Sequence, residues 1–111
     1  MGAGYFDRDV LEDALANFQR ALELEPGHVP ALLGASVAST KSGNPAAGLD
    51  LAQRALTRSP QSPEAHYLAG LAAEALGRRG EALGHLRQAR ALQPQQREYQ
   101  AALERVMSSG R

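Results

Sequence analysis

Histidine is the residue type in this sequence with the most versatile chemistry, because an imidazole can bind a metal ion or transfer a proton near neutral pH. The chain has three, His28, His66 and His85. No two stand four residues apart and no HExxH motif is present, so the spacing does not favour a zinc site on a helix. The absence of cysteine excludes a disulfide framework, a cysteine-ligated zinc and a thiol nucleophile. Without a Ser-His-Asp or Cys-His constellation we expect no catalytic site, no metal and no cofactor.

Arginine is the second residue type with clear binding chemistry. Five arginines lie in the last third of the chain: Arg78, Arg79, Arg87, Arg90 and Arg97. Such a cluster could bind an acidic partner or nucleic acid, but Glu74 and Glu81 stand among the arginines and no aromatic residue is interleaved. We therefore interpret the cluster as a solvated helix face and expect no nucleic acid as a partner.

Charge is unevenly distributed although the net charge is zero. Residues 1–28 carry six acidic and two basic residues, and residues 29–111 carry six acidic and ten basic ones. This asymmetry fits either a solvated face near each end or head-to-tail contact between copies. No apolar run approaches the roughly 20 residues of a membrane span, and no signal-peptide pattern is visible. We favour a cytoplasmic location, and the Arg-rich composition hints at a bacterial genome.

Prolines recur at one fixed interval and indicate an internal repeat. Pro26, Pro60 and Pro94 are separated by 34 residues, and each is preceded at constant distances by an alanine, an apolar residue and a small residue. The three aligned segments read ALANFQRALELEP, GLDLAQRALTRSP and ALGHLRQARALQP. This repetition predicts an array of similar structural units.

Each of these segments has the period of an amphipathic helix. In the first segment Leu15, Phe18 and Leu22 fall on one helix face. The proline that follows each segment cannot continue a helix, so every segment predicts one helix that ends there.

A second helix precedes each of the last two segments. The first of these is predicted over Val29 to Lys41, and Gly43 then provides a C-terminal cap. Asn44 and Ser62 each stand directly before a proline, which is the pattern of a helix start with a polar N-cap. Gly77 lies 34 residues after Gly43 and marks the same turn. The unit is therefore a helix, a tight glycine turn, a second helix and a proline turn.

This pattern resembles the tetratricopeptide repeat, whose signature is W-x₂-L-G-x₂-Y, then A-x₃-F, then P. The unit at 63–96 matches best, with these residues in signature or turn positions: Ala69, Gly70, Gly77, Ala82, Leu86, Ala89 and Pro94. This unit departs from the signature at two positions, where His66 replaces Trp and Ala73 replaces Tyr. We expect His66 to be half-buried and His85 to face solvent.

The resemblance implies an all-α fold, a right-handed α-solenoid of antiparallel helix pairs with about 2.5 repeats and a C-terminal capping helix. It divides the chain into a truncated first repeat (1–28), a second repeat (29–62), a third repeat (63–96) and the capping helix (97–108). The second repeat has small residues where the signature has larger ones, among them Ala35 for Leu, Ser39 for Tyr and Gly48 for Ala, while Ser36 takes the Gly position. We expect its helices to approach closely while burying little side-chain area.

Stacked repeats of this family form a concave surface from the first helix of each pair, and partners bind there. The resemblance implies these peptide-binding groove residues: Phe6, Leu33, Val37, Thr40, Tyr67, Leu71 and Glu74. Arg105 is expected to flank the far end. The Lys, Arg and Asn clamp with which some family members hold a C-terminal carboxylate is absent, so the expected partner segment is an apolar or amphipathic helix or an extended peptide.

The resemblance therefore predicts a protein–protein interaction module that acts as a scaffold or adaptor and is not an enzyme. One alternative is a regulatory or substrate-docking segment of a larger enzyme or of a secretion or assembly component. The other is a homo-oligomer that self-associates through an uncapped N-terminal face, which Leu11, Leu15 and Phe18 would leave apolar and exposed.

Overall fold

The computed structural model describes the backbone of residues 8–109 and the side chains of residues 10–109. This part of the chain consists of helices and turns, which confirms the all-α prediction. Its six helices are α1 (Arg8–Leu24), α2 (Val29–Lys41), α3 (Pro45–Arg58), α4 (Pro63–Ala75), α5 (Arg79–Leu92) and α6 (Arg97–Ser109).

Side-chain caps define two of the helix starts, as the sequence predicted. The Oδ1 atom of Asn44 accepts a hydrogen bond from the backbone N–H of Ala47 at 3.3 Å. The Oγ atom of Ser62 accepts one from the backbone N–H of Ala65 at 3.2 Å. Each bond satisfies a donor that the first helical turn leaves without an intrahelical partner. Helix α5 begins without such a bond, because Arg78 occupies its N-cap position.

Two glycines make the tight turns within the helix pairs α2–α3 and α4–α5. Gly43 has a φ of 98° and Gly77 a φ of 81°, a left-handed conformation that a residue with a Cβ atom adopts only under strain. In both turns the amide of the following residue donates to the carbonyl five residues earlier, at 2.8 and 2.9 Å. This pattern closes the helix C-terminus and reverses the chain direction.

The helices form an inner and an outer row. Each helix packs against the next in sequence, and in addition α2 contacts α4 and α4 contacts α6. Helices α2, α4 and α6 therefore form a contiguous inner row, and α1, α3 and α5 pack against it from outside. An array whose inner helices lie closest together curves toward them, which gives a concave surface on α2, α4 and α6.

The core of the array is thin and rich in alanine. Alanines with no exposed surface lie at the helix contacts, at positions 52, 55, 65, 69, 72, 73, 82 and 89. The largest fully buried side chains are Leu32, Leu86, Val106 and Ser36. Helix α6 adds Leu103 and Val106 to the cluster around Leu86, so it covers the α4–α5 pair as a capping helix should.

Helix α1 is more buried on its apolar face than the sequence suggested. The expectation that Leu11, Leu15 and Phe18 form an exposed face is wrong for Leu11, which is only 8% exposed. Leu15 is half-buried, and the half-buried Phe18 ring lies where a Cβ atom on Gly34 would be. The predicted stub of the truncated repeat, including Phe6, lies outside the described residues.

Candidate peptide-binding groove

A cavity of about 400 Å³ opens on the concave side between α2, α4 and α6. Helix α2 contributes an apolar wall, α4 a wall that mixes apolar and acidic side chains, and the start of α6 closes the end. The lining residues are Pro30, Leu33, Gly34, Val37, Glu64, Tyr67, Leu68, Gln96, Glu98 and Tyr99.

A second, smaller cavity of about 130 Å³ continues along the same surface. Val37 and Leu68 line both cavities, so the two are neighbouring parts of one groove. The other residues around the second cavity are Ser36, Thr40, Lys41 and Leu71. The two cavities together are called the groove below.

The structure brings most of the predicted groove residues together. Leu33, Val37 and Tyr67 line the first cavity, and Thr40 and Leu71 line the second together with Val37. Glu74 lines neither of them; it borders a separate hollow of about 290 Å³ next to α6. Phe6, the remaining predicted residue, lies outside the described part of the chain.

Glu74 instead forms an ion pair across the inner row. The guanidinium of Arg105 on α6 donates to both carboxylate oxygens of Glu74, from Nε to Oε2 at 3.0 Å and from Nη2 to Oε1 at 2.6 Å. These hydrogen bonds raise the pKa of Arg105 above its ordinary value. The pair joins α4 to α6 beside the groove, where Arg105 was expected to flank it.

Two tyrosines form the aromatic part of the groove. The ring centroids of Tyr67 and Tyr99 are 4.9 Å apart and the rings are tilted by 41°, an arrangement that aromatic pairs favour over face-to-face stacking. Tyr99 is only 2% exposed and supports the half-buried ring of Tyr67 from behind. The sequence placed Tyr99 on the capping helix but did not identify it as a wall of the groove.

Glu98 also lines the groove, although the sequence did not lead us to assign it there. A signal was present, because Pro30, Glu64 and Glu98 follow one another at the 34-residue interval and all three line the first cavity. Extending the repeat register past Pro94 into the capping helix would have found this glutamate.

The surroundings of both tyrosine hydroxyls favour the neutral form, mainly because the hydroxyls are partly buried. Burial is the largest cause that raises the pKa of Tyr67, followed by the Glu98 carboxylate, while Arg105 lowers it. Burial and then the Glu64 carboxylate raise the pKa of Tyr99. The glutamates at the starts of α4 and α6 therefore act on the interior of the groove.

A larger hollow of about 570 Å³ lies on the other side of the array, between α1, α2 and α3. Leu15, Leu22 and Leu51 contribute apolar surface to it, and Glu23, Asp50 and Arg54 contribute charge. None of the predicted groove residues lines it. It is called the outer hollow below.

Two histidines meet at the α4–α5 contact. The Nδ1 atoms of His66 and His85 are 3.2 Å apart, and Nε2 of His66 lies 3.1 Å from the carbonyl oxygen of Pro60. A carbonyl only accepts, so His66 carries a proton on Nε2, and a neutral His66 then accepts from His85 at Nδ1. The half-buried His66 confirms the prediction, but solvent exposure of His85 is wrong, because its ring packs against His66.

The environment of the pair disfavours charge on His85. Burial, followed by the neighbouring His66, lowers the pKa of His85, and Glu81 opposes the effect. Within the described residues no group of three or more His, Cys, Asp or Glu side chains is placed to hold a metal ion. None of the six helices has the length and apolar character that crossing a bilayer requires.

Sequence profiles identify the family to which these repeats belong. One profile described as tetratricopeptide repeat matches residues 39–106 and a second with the same description matches residues 5–63. The chain belongs to the tetratricopeptide repeat family. A search of curated proteins found no match.

Solved structures show the same fold at low sequence identity. The first tetratricopeptide domain of Spaghetti (RPAP3), described as bound to the HSP90 peptide SRMEEVD, superposes with a TM-score of 0.86 at 18% identity, over 97% of this chain and 86% of that one. The Arabidopsis OM64 domain gives 0.84 at 20% identity, over 88% and 81%. The second domain of human RPAP3, described as in complex with the HSP70 peptide SGPTIEEVD, gives 0.83 at 18% identity, over 96% and 88%. These likenesses confirm the tetratricopeptide solenoid.

Proposed function

We propose that this chain is a protein-interaction module that binds a peptide or helix of a partner protein in the groove. The observation that carries the proposal is the continuity of the two cavities along the inner helices, through Val37 and Leu68. Their apolar walls and the Tyr67 ring fit an apolar or amphipathic segment laid along the surface. In this proposal the chain acts as an adaptor or scaffold, with no catalytic role, no cofactor and no nucleic acid partner.

The similar structures support peptide binding as the kind of function proposed. Two of them are described as domains that hold short peptides, SRMEEVD in one and SGPTIEEVD in the other. At 18% identity they support a shared architecture, so the side chains of this chain's own groove decide which peptide it takes.

The test compares groove and outer-surface variants against one set of ligands. Peptides are selected from a random displayed library with the wild-type chain, and their affinities are measured by fluorescence anisotropy. Replacing Tyr67 and Leu71 with alanine should weaken binding about tenfold or more, because truncating central apolar anchors typically costs more than about 1 kcal/mol each.

The matched control replaces two exposed residues of α5, Arg87 and Gln88, with alanine. This control should bind as the wild type does, and circular dichroism should show equal helix content in all three proteins. Unchanged affinity in the groove variant, or an equal loss in the control, would contradict the proposed groove.

The two alternative roles differ in the surface that they would use. Docking of a substrate or regulator within a larger enzyme or a secretion or assembly component would use the same groove. Self-association would use α1, where Val10 is 53% and Leu24 is 83% exposed. Sedimentation over a dilution series tests self-association, since a monomer mass that does not change with concentration would exclude it.

A further inference from the structure

The first cavity of the groove combines two carboxylates with two phenol rings. Glu64 lies in the first turn of α4 and Glu98 in the first turn of α6, where an acidic residue interacts favourably with the helix dipole. That effect accounts for the helix position of each glutamate but not for the fact that both border the same cavity. Here Glu64, Glu98 and the Tyr67 ring converge between neighbouring inner helices.

Neither carboxylate is neutralised within the described part of the chain. The salt bridges there involve Glu25, Glu74 and Glu81, and none involves Glu64 or Glu98. Both glutamates are exposed to solvent. The cavity thus presents two negative charges that a bound segment could approach.

The nearby cation is already engaged. The guanidinium of Arg105 is bound by both carboxylate oxygens of Glu74, at 3.0 and 2.6 Å. A bidentate pair of this kind uses two of the guanidinium N–H donors and offsets the positive charge of Arg105 with the Glu74 carboxylate. The charge left over at this end of the groove is therefore negative, and after burial the next cause that raises the pKa is the Glu98 carboxylate for Tyr67 and the Glu64 carboxylate for Tyr99.

The rest of the groove is apolar. Leu33 and Val37 from α2 and Leu68 from α4 line the first cavity, and Leu71 extends this surface through the second. Lys41 borders the second cavity, at the opposite end from α6. A segment that fills the groove therefore meets carboxylates near α6 and aliphatic side chains along α2 and α4.

We propose that the groove selects a partner segment that presents a lysine or arginine side chain next to apolar side chains. The cation lies between Glu64 and Glu98 against the Tyr67 ring, and the apolar side chains contact Leu33, Val37 and Leu68. Carboxylates attract the cation directly, and an aromatic face adds a favourable cation–π contact. This inference rests on the proposed peptide-binding function and names the class of peptide.

The test uses three displayed peptide libraries that differ at one fixed position, which holds Arg, Gln or Glu among randomised apolar and small residues. Selection with the full chain should enrich binders from the Arg library. Changing Arg to Gln in a recovered peptide should weaken binding about threefold to tenfold, since exposed charge contacts are worth about 0.2–1 kcal/mol each. The preference should shrink at high salt because exposed charges are screened.

Two double variants with the same net charge locate the effect. E64Q/E98Q should bind the Arg and Gln peptides equally, whereas E12Q/E104Q should keep the wild-type preference. Glu12 and Glu104 are exposed and line none of the cavities described above.

The outcomes separate this inference from the proposed function. Binders that come equally from the Glu library, or a preference that E12Q/E104Q removes as fully as E64Q/E98Q, would overturn the cation inference while groove binding stands. If no library yields a peptide whose binding depends on Leu33 and Tyr67, tested as L33A/Y67A, the proposed function fails and the inference fails with it.

Discussion

The two helix pairs α2–α3 and α4–α5 have the same backbone arrangement but differ in which helix carries the larger side chain at their contact. It is the inner helix in α2–α3 and the outer helix in α4–α5. In α2–α3 the buried Ser36 of the inner helix faces Gly48 of the outer helix, and the next turn carries Ala52. In α4–α5 the glycine is on the inner helix, as Gly70, and the outer helix carries the fully buried Leu86. Each of these positions is related to its counterpart by the 34-residue interval.

The difference shows that one architecture can hold its helices together in two ways. In α2–α3 the Oγ atom of Ser36 donates a buried hydrogen bond to the Gly48 carbonyl at 2.7 Å, and a Cβ atom at Gly48 would collide with Thr40. In α4–α5 a Cβ atom at Gly70 would lie 2.8 Å from Cγ of Leu86. The first contact depends on close backbones and a polar bond, and the second on apolar interdigitation.

Truncating Leu86 should cause the largest loss of stability. Leu86→Ala should lower the free energy of unfolding by about 2–5 kcal/mol, because the helices around a fully buried leucine relax only partly into the cavity. Urea denaturation followed by circular dichroism measures it. Leu24→Ala, at a position 83% exposed, is the control and should change stability by less than about 0.5 kcal/mol. Equal losses would contradict the assigned role of Leu86.

Enlarging Gly70, which lies opposite Leu86, should cause the second largest loss of stability. Gly70→Ala should cost about 1–3 kcal/mol by overpacking, since Leu86 must shift to admit the new methyl group. In a double-mutant cycle the cost should shrink markedly when Leu86 is already alanine, because the obstructing atoms are gone. Additive losses in the double variant would show that the two residues do not oppose each other.

The corresponding change in α2–α3 removes a hydrogen bond and should cost less. Ser36→Ala should lower the free energy of unfolding by about 1 kcal/mol, the usual net value of one buried hydrogen bond. Thr57→Ala removes an exposed hydroxyl bond on α3 and serves as the control. A loss at position 36 no larger than that at position 57 would mean that the Ser36 bond contributes nothing to the contact.

Histidines replace leucines at a second pair of related positions and predict a pH-dependent effect. His66 and His85 are 34 residues after Leu32 and Leu51, which belong to one apolar cluster in α2–α3. Because the fold lowers the pKa of His85 below 6.5, the unfolded chain binds the proton first as pH falls. Stability is therefore full above the ordinary pKa and decreases as pH falls through it toward the lowered one.

H66L/H85L copies the apolar arrangement and should remove this component of the pH dependence. Thermal unfolding of both proteins is compared between about pH 7.5 and pH 5.5, the range in which histidine titrates. Glu81 also acts on His85, so E81Q should steepen the decline in the wild-type background. The same slope in H66L/H85L as in the wild type would show that other groups cause it.

Local chemistry made most of the fold predictable. The proline interval, the Asn44 and Ser62 caps and the turns at Gly43 and Gly77 are encoded over a few residues each, and helix α2 has the predicted bounds Val29–Lys41. The family signature then placed the groove residues of α2 and α4 on one surface.

The contacts that sequence reasoning missed depend on how separate helices dock. Glu98 and Tyr99 enter the groove because α6 packs against α4 and α5, and the family signature stops at Pro94, before α6. Because His85 is polar and lies on an outer helix, its residue type predicted exposure to solvent. Its position in the repeat, which corresponds to Leu51, instead predicted burial. The contact with His66 decided the outcome.

The inner helices α2 and α4 also differ in the side chains that they contribute to the groove. At matching positions α2 carries Pro30 and Leu33 where α4 carries Glu64 and Tyr67, and all four line the first cavity. One half of the groove is therefore apolar, and the other combines charge with an aromatic ring.

The most direct test of the account is amide chemical-shift mapping of the full chain by NMR during titration with an Arg-containing peptide from the selection. We expect the largest perturbations on α2, α4 and the start of α6, around Leu33, Tyr67 and Glu98. The Gln version of the peptide should lose the perturbation near Glu98 first. Perturbations centred on the outer hollow, between α1 and α3, would contradict the assignment of the groove as the binding surface.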